Sequence, residues 1–149
     1  MRVLIVEDNA FNAYCLRRLL ESASSSIAVT IVSNSQAALS LIYTNMPDLV
    51  VIDGDLNAVG DSQCNGPELA DILLQKFPHL PLIAWSDSEP MLHAFAQSFK
   101  SHGRPFNEYN SWLKMISAER IRKTWIYHFG AFFGDQTASL SYYSKASAC

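Results

Sequence analysis

The sequence is poor in the features that mark several classes of protein. Its three cysteines, Cys15, Cys64 and Cys149, are an odd and scattered set. They lack the Cys-x-x-Cys spacing of zinc or redox sites, so a reduced, cytoplasmic setting is expected. No apolar run approaches the roughly 20 residues of a membrane span. The opening MRVLIVEDN meets acidic residues too early for a secretory signal. Basic charge is not in excess either: the net charge is −3, which offers no electrostatic argument for nucleic acid. Repeats, low-complexity tracts and linkers are missing too. The exception is the end of the chain, GAFFGDQTASLSYYSKASAC, read as a loosely attached tail over 130–149, too short to form a further domain.

What is present is a single domain's worth of chain. Its 149 residues are 49% apolar and 17% charged, enough to build a core. Short apolar runs alternate with helical patterns. Strands are expected at 3–6, 27–32, 48–53, 81–86 and, more weakly, 109–114. Helices are expected between them: 9–21 with Phe11, Cys15 and Leu19 on one stripe, and 33–45 with Ala38, Leu41 and Ile42 facing inward. A third opens at Gly66-Pro67-Glu68, where proline suits the first turn and an acid suits the positive end of the dipole. The last two cover 90–102, with Leu92, Phe95 and Phe99 on one face, and Ala118–Phe129, with Ile121, Trp125 and Phe129. Strands without sustained alternation, each followed by a helix, predict an α/β fold with a parallel sheet covered on both faces. Ligands of such sheets collect at the carboxyl ends of the strands.

The residues at those ends carry chemistry. The first strand leads into Glu7 and Asp8, the third into Asp53 and Asp55, the fourth into Ser86 and Asp87, and the fifth into Lys114. Singly, each has a plainer use: Asp8 can cap a helix and Asp53-Gly54 can make a turn. Together they crowd carboxylates that repel one another unless a cation lies among them. Hard oxygen ligands suit magnesium. A metal, a nucleophilic carboxylate, a hydroxyl and a lysine make a phosphoryl-transfer site.

Four motifs in order, VLIVEDN, PDLVVID, LIAWS and LKMISAERI, resemble those of response-regulator receiver domains of two-component signalling, and the likeness spans residues 1–129. The resemblance implies a doubly wound, flavodoxin-like five-stranded parallel sheet in the order 2-1-3-4-5. It implies Asp53 as phosphoacceptor, with Mg2+ held by Asp8 and Asp53 directly, by Glu7 through water and by the backbone carbonyl of Asp55. Ser86 would bond the phosphoryl oxygen and Lys114 would pair with its charge. The implied donor is a sensor histidine kinase or histidine phosphotransfer protein. The output protein stays unspecified, and the state is a monomer or weak homodimer.

The sequence also departs from that pattern. Met115 follows the lysine where the family usually has proline. Asp87 replaces a small neutral residue and would add negative charge beside the phosphoryl group. The 54–65 loop is long, Ser111 takes the place of the usual switch aromatic, and 103–109 reads as an insertion. Within it, Arg104-Pro105-Phe106 is a rival for the Lys114 position, although the residues after Lys114 fit better. These departures leave open a degenerate receiver that acts as a binding module. Asp53-Gly54-Asp55 also leaves open a haloacid-dehalogenase-like phosphatase, which needs an acidic pair after the lysine.

Overall fold

The computed structural model describes residues 1–132. The expected segment 130–149 therefore lies mostly outside the described residues. The elements alternate strictly: β1 (Arg2–Val6), α1 (Ala10–Ala23), β2 (Ala28–Val32), α2 (Ser35–Thr44), β3 (Leu49–Asp53), α3 (Gly66–Lys76), β4 (Leu82–Trp85), α4 (Glu89–Ser101), β5 (Ser111–Trp112) and α5 (Ala118–Phe129). All strand pairs are parallel and the sheet order is β2-β1-β3-β4-β5, as expected.

Local chemistry starts and stops the helices. Asn9, Asn34, Ser88 and Ser117 each accept a bond from a first-turn N–H of α1, α2, α4 and α5, satisfying donors that a helix leaves orphaned. In α3 that role falls to composition, with Pro67 in the first turn and Glu68 beside it. Gly130 ends α5 at φ 77°, a left-handed position that suits glycine.

The sheet is buried on both faces. One core joins Val3, Ile5, Val51 and Ile83 to Leu16, Leu20, Ile121 and Trp125 of α1 and α5. The other joins Leu4, Val50, Ile52 and Leu82 to Ile42, Leu69, Leu73, Phe95 and Phe99 of α2, α3 and α4. Consecutive strand residues thus serve opposite cores, which is why the strands show continuous apolar runs. At the edge, Trp112 Nε1 donates to Thr124 Oγ1 at 3.0 Å, pairing a buried indole across to α5.

Three expectations change. The α1 stripe is Ala13, Leu16, Leu19, Leu20 and Ala23; Phe11 is 63% exposed and Cys15 only half-buried. The choice of face was ambiguous because apolar residues occur around most of that helix. In α2, Leu41 is half-buried beside the buried Ala38 and Ile42. The fifth strand shrinks from 109–114 to Ser111–Trp112. Segment 103–109 packs instead of pairing: Phe106 meets Phe99 edge-on at 5.0 Å, and Tyr109 stacks on Tyr127 at 4.4 Å. No helix among the described residues is long and apolar enough to cross a membrane.

Candidate phosphoacceptor site

The parallel register delivers the acids to one rim. Val6 pairs with Ile52 and Val32, so Glu7 and Asp53 emerge side by side as β1 and β3 end. Ligand oxygens of Glu7, Asp8 and Asp53 lie within 4.8 Å of one another. From β4, Trp85 pairs with Asp53 on one side and Trp112 on the other. Chain order scatters these residues, and the sheet gathers them.

Lys114 closes the cluster. Its Nζ lies 2.6 Å from Asp53 Oδ1 and 3.2 Å from Glu7 Oε1. The same ammonium sits 3.7 Å from the Trp85 ring centroid, within cation–π range. Arg104, the rival from the insertion, instead donates to the Pro78 carbonyl, away from the acids. Lys114 is therefore the cation of the site.

Charge is unevenly balanced here. Glu7 is 2% exposed and Asp53 8%. Burial pushes the Glu7 carboxyl up to about 7, the neighbouring Asp53 carboxyl adds to the rise, and the Lys114 ammonium opposes it. Glu7 Oε2 is buried with no hydrogen-bond donor among the described residues. Three carboxyl groups face one ammonium, and the rise at Glu7 reflects the cost of ionising all of them together without a further cation. A buried carboxylate oxygen without a donor, beside two further oxygen ligands, fits a hard divalent cation.

Ser86 is buried at the end of β4, with its N–H on the Trp112 carbonyl at 3.0 Å. Its hydroxyl accepts from the Ser88 N–H at 3.0 Å and retains its own proton to donate. Asp55 is exposed and accepts from the Asn57 N–H at 2.9 Å, so its carboxylate is engaged within its own loop. Asp87 departs from the expectation of a charge aimed at the phosphoryl position: its Oδ1 accepts from the Lys114 backbone N–H at 2.8 Å. The carboxylate faces the segment after β5, because an unpaired amide there offers it a partner.

Two residues of the site were missed from sequence. Trp85 was legible as an aromatic directly before Ser86, but nothing local says that a lysine would rest on it. Asn57 is the one non-glycine residue with positive φ among those described, at 51°, a conformation asparagine tolerates. That turn brings its side-chain amide to donate to Asp8 Oδ2. The long loop is braced by Asn65, whose Oδ1 accepts from Leu56 N–H at 3.0 Å.

A doubly wound α/β domain whose strand ends hold three acids, a serine and a lysine has the architecture of a signalling receiver. Residues 3–102 match the family described as response regulator receiver domain, and the chain belongs to that family. Solved structures agree on the fold. The chain is 19% identical to the receiver domain of NtrX from Brucella abortus, with a TM-score of 0.69 over 86% of this chain and 98% of that one. A putative response regulator from Chloroflexus aurantiacus is 20% identical, with a TM-score of 0.68 over 85% and 96%. The receiver domain of a modulated diguanylate cyclase from Desulfovibrio desulfuricans is 24% identical, with a TM-score of 0.67 over 87% and 93%. No curated protein matches the chain. The family match stops before β5, so Lys114 enters the site on geometry.

Proposed function

We propose that this chain is a cytoplasmic phosphoacceptor in which Asp53 receives a phosphoryl group from a phosphohistidine. The donor would be a sensor histidine kinase or a histidine phosphotransfer protein. One observation carries the reading: Asp53, at the end of a buried strand, is paired with Lys114 at 2.6 Å and shares its rim with Glu7 and Asp8. In the transfer, an Asp53 carboxylate oxygen forms the new P–O bond as the P–N bond breaks. The electron pair of that bond returns to the imidazole nitrogen. Lys114 then exchanges the Asp53 oxygen for phosphoryl oxygens, and the Ser86 hydroxyl donates to another.

Asp8, Asp53, Glu7 and the Asp55 carbonyl would hold magnesium, which when bound screens the carboxylates from the incoming anion. Phosphorylation would then bias the surface of α4, β5 and α5 toward a separate output protein. That surface differs from the family pattern at Ser111 and carries the insertion 103–109, whose last residue, Tyr109, stacks on Tyr127.

The test is incubation with magnesium and a small phosphodonor such as acetyl phosphate, with the modified residue located by mass spectrometry. Labelling should occur in the parent, vanish in Asp53→Asn and persist in Asp55→Asn with an altered rate. Full labelling of Asp53→Asn would overturn the assignment. No labelling of the parent at saturating magnesium would favour a binding module. The dehalogenase alternative needs an acidic pair from beyond Lys114 at the site, and one acid that the sequence offers there, Asp135, lies outside the described residues. Among the described residues, the acids beside Asp53 come from Glu7 and Asp8, not from beyond Lys114.

A further inference from the structure

The β4–β5 ladder ends in an unusual way. Ala84 N–H donates to the Asn110 carbonyl at 2.7 Å, and Ser86 N–H donates to the Trp112 carbonyl at 3.0 Å. In a parallel ladder the next rung would take Lys114 N–H to the Ser86 carbonyl. Here the acceptor is the side chain of the following residue, Asp87, through Oδ1 at 2.8 Å. A carboxylate has thus replaced a backbone carbonyl at the one rung that holds the lysine of the site. No proline follows Lys114, where Met115 stands exposed. The ring that would restrict the Lys114 backbone is lacking, and the restraint comes from outside.

We infer that Asp87 is a positioning residue for Lys114. It fixes the lysine by its backbone while Asp53, Glu7 and the Trp85 ring fix the ammonium. This rests on the phosphoacceptor reading of the site and adds to it. The lysine has a long side chain with many rotamers, so reaching Asp53 at 2.6 Å depends on where its Cα is held. With β5 only two residues long, the ladder itself secures little of the chain beyond Trp112. Two departures from the family pattern, Asp87 and Met115, then act together: one supplies the constraint that the other omits. A charge repelling the phosphoryl group would make Asp87 inhibitory, whereas a tether makes it supportive. The sign of its substitution separates the two.

The experiment uses the full chain as parent, Asp87→Ala and Asp87→Asn. Hydrogen exchange of the Lys114 amide is followed by NMR without donor or metal, and labelling by acetyl phosphate is followed with saturating magnesium. Asp87→Ala should speed exchange at Lys114 and slow labelling about tenfold, the scale of a charge-assisted bond lost beside reacting groups. Asp87→Asn keeps an acceptor oxygen and should recover most of both. Unchanged exchange in Asp87→Ala overturns the inference. So does labelling that is equal or faster, or an Asp87→Asn protein as impaired as Asp87→Ala. If the parent takes no label, the phosphoacceptor reading fails, and the exchange result alone decides whether Asp87 holds Lys114.

Discussion

Glu7 shows how far a single residue's behaviour depends on its neighbours. As a sequence feature it is one acid of an acidic pair, equally able to begin a helix. In the fold it is buried beside Asp53, and its carboxyl is held up to about 7. A group whose folded pKa lies above its unfolded value takes up a proton on folding. Its contribution to stability is complete below about 4.5 and is lost as pH rises through about 7. Relative to Glu7→Gln, the metal-free parent should therefore lose stability between pH 5 and about 8, as read from urea midpoints, while the burial that lowers His128 acts in the opposite direction in both proteins. Glu7→Gln, which stays neutral, should flatten that slope. A parent whose midpoint runs parallel to that of Glu7→Gln over this range would contradict the proton uptake. Trp85 and Asn57 belong to the same scale, since neither role follows from residue type. Each needs a partner brought from 29 or more positions away, Lys114 and Asp8 respectively.

At the scale of elements, α3 and β3 meet too closely for any side chain at their junction. A Cβ on Gly66 would lie 2.2 Å from the Asp53 carbonyl oxygen and 2.8 Å from Phe95 Cζ. The first of these is backbone and cannot rotate away. Gly66→Ala should push α3 from the end of β3, at a cost of about 1–3 kcal/mol for overpacking. It should also slow labelling of Asp53, because the carbonyl it strikes belongs to that residue. Gly54 offers the contrast. There a Cβ would strike Met91 near the base of its side chain, at Cγ and Cβ, so relief needs a new Met91 rotamer and a small shift, but no backbone atom is struck. Urea denaturation of both alanine variants checks the order, and a Gly66→Ala protein as stable as its parent would refute the close approach. The helix-start signals at Asn9, Asn34, Ser88 and Ser117 were open to local reading, because a cap acts within three residues. The two-residue β5 was not, since the strand-like Tyr109 stacks on Tyr127 and the Lys114 N–H goes to Asp87, partners that lie outside the local sequence.

For the whole molecule, binding of a metal at the acidic rim would be linked to folding. The carboxylates of Glu7, Asp8 and Asp53 come together only in the native sheet, so an ion held there binds the folded state alone. Magnesium should raise the unfolding midpoint, by about 2.7 kcal/mol at a roughly hundredfold excess over Kd. Asp8→Asn should reduce the rise, whereas Asp71→Asn, at the distant contact with His102, should leave it intact. An equal rise in Asp8→Asn would place the ion elsewhere. The alternation of apolar runs and helices determined, from sequence alone, the class of fold and the rim on which the acids meet. Both depend on near-neighbour periodicity: a fully buried parallel strand must be apolar on each face, and each crossover needs a helix. The resemblance of four motifs added the strand order and the roles proposed for Asp53 and Lys114. Only the tertiary structure decided that Lys114 rests on Trp85, that Asn57 reaches Asp8, and that Asp87 turns from the pocket to the Lys114 amide. The physical reason is that these contacts join strands and loops far apart in the chain, where distance and burial, rather than residue type, choose each side chain's partner.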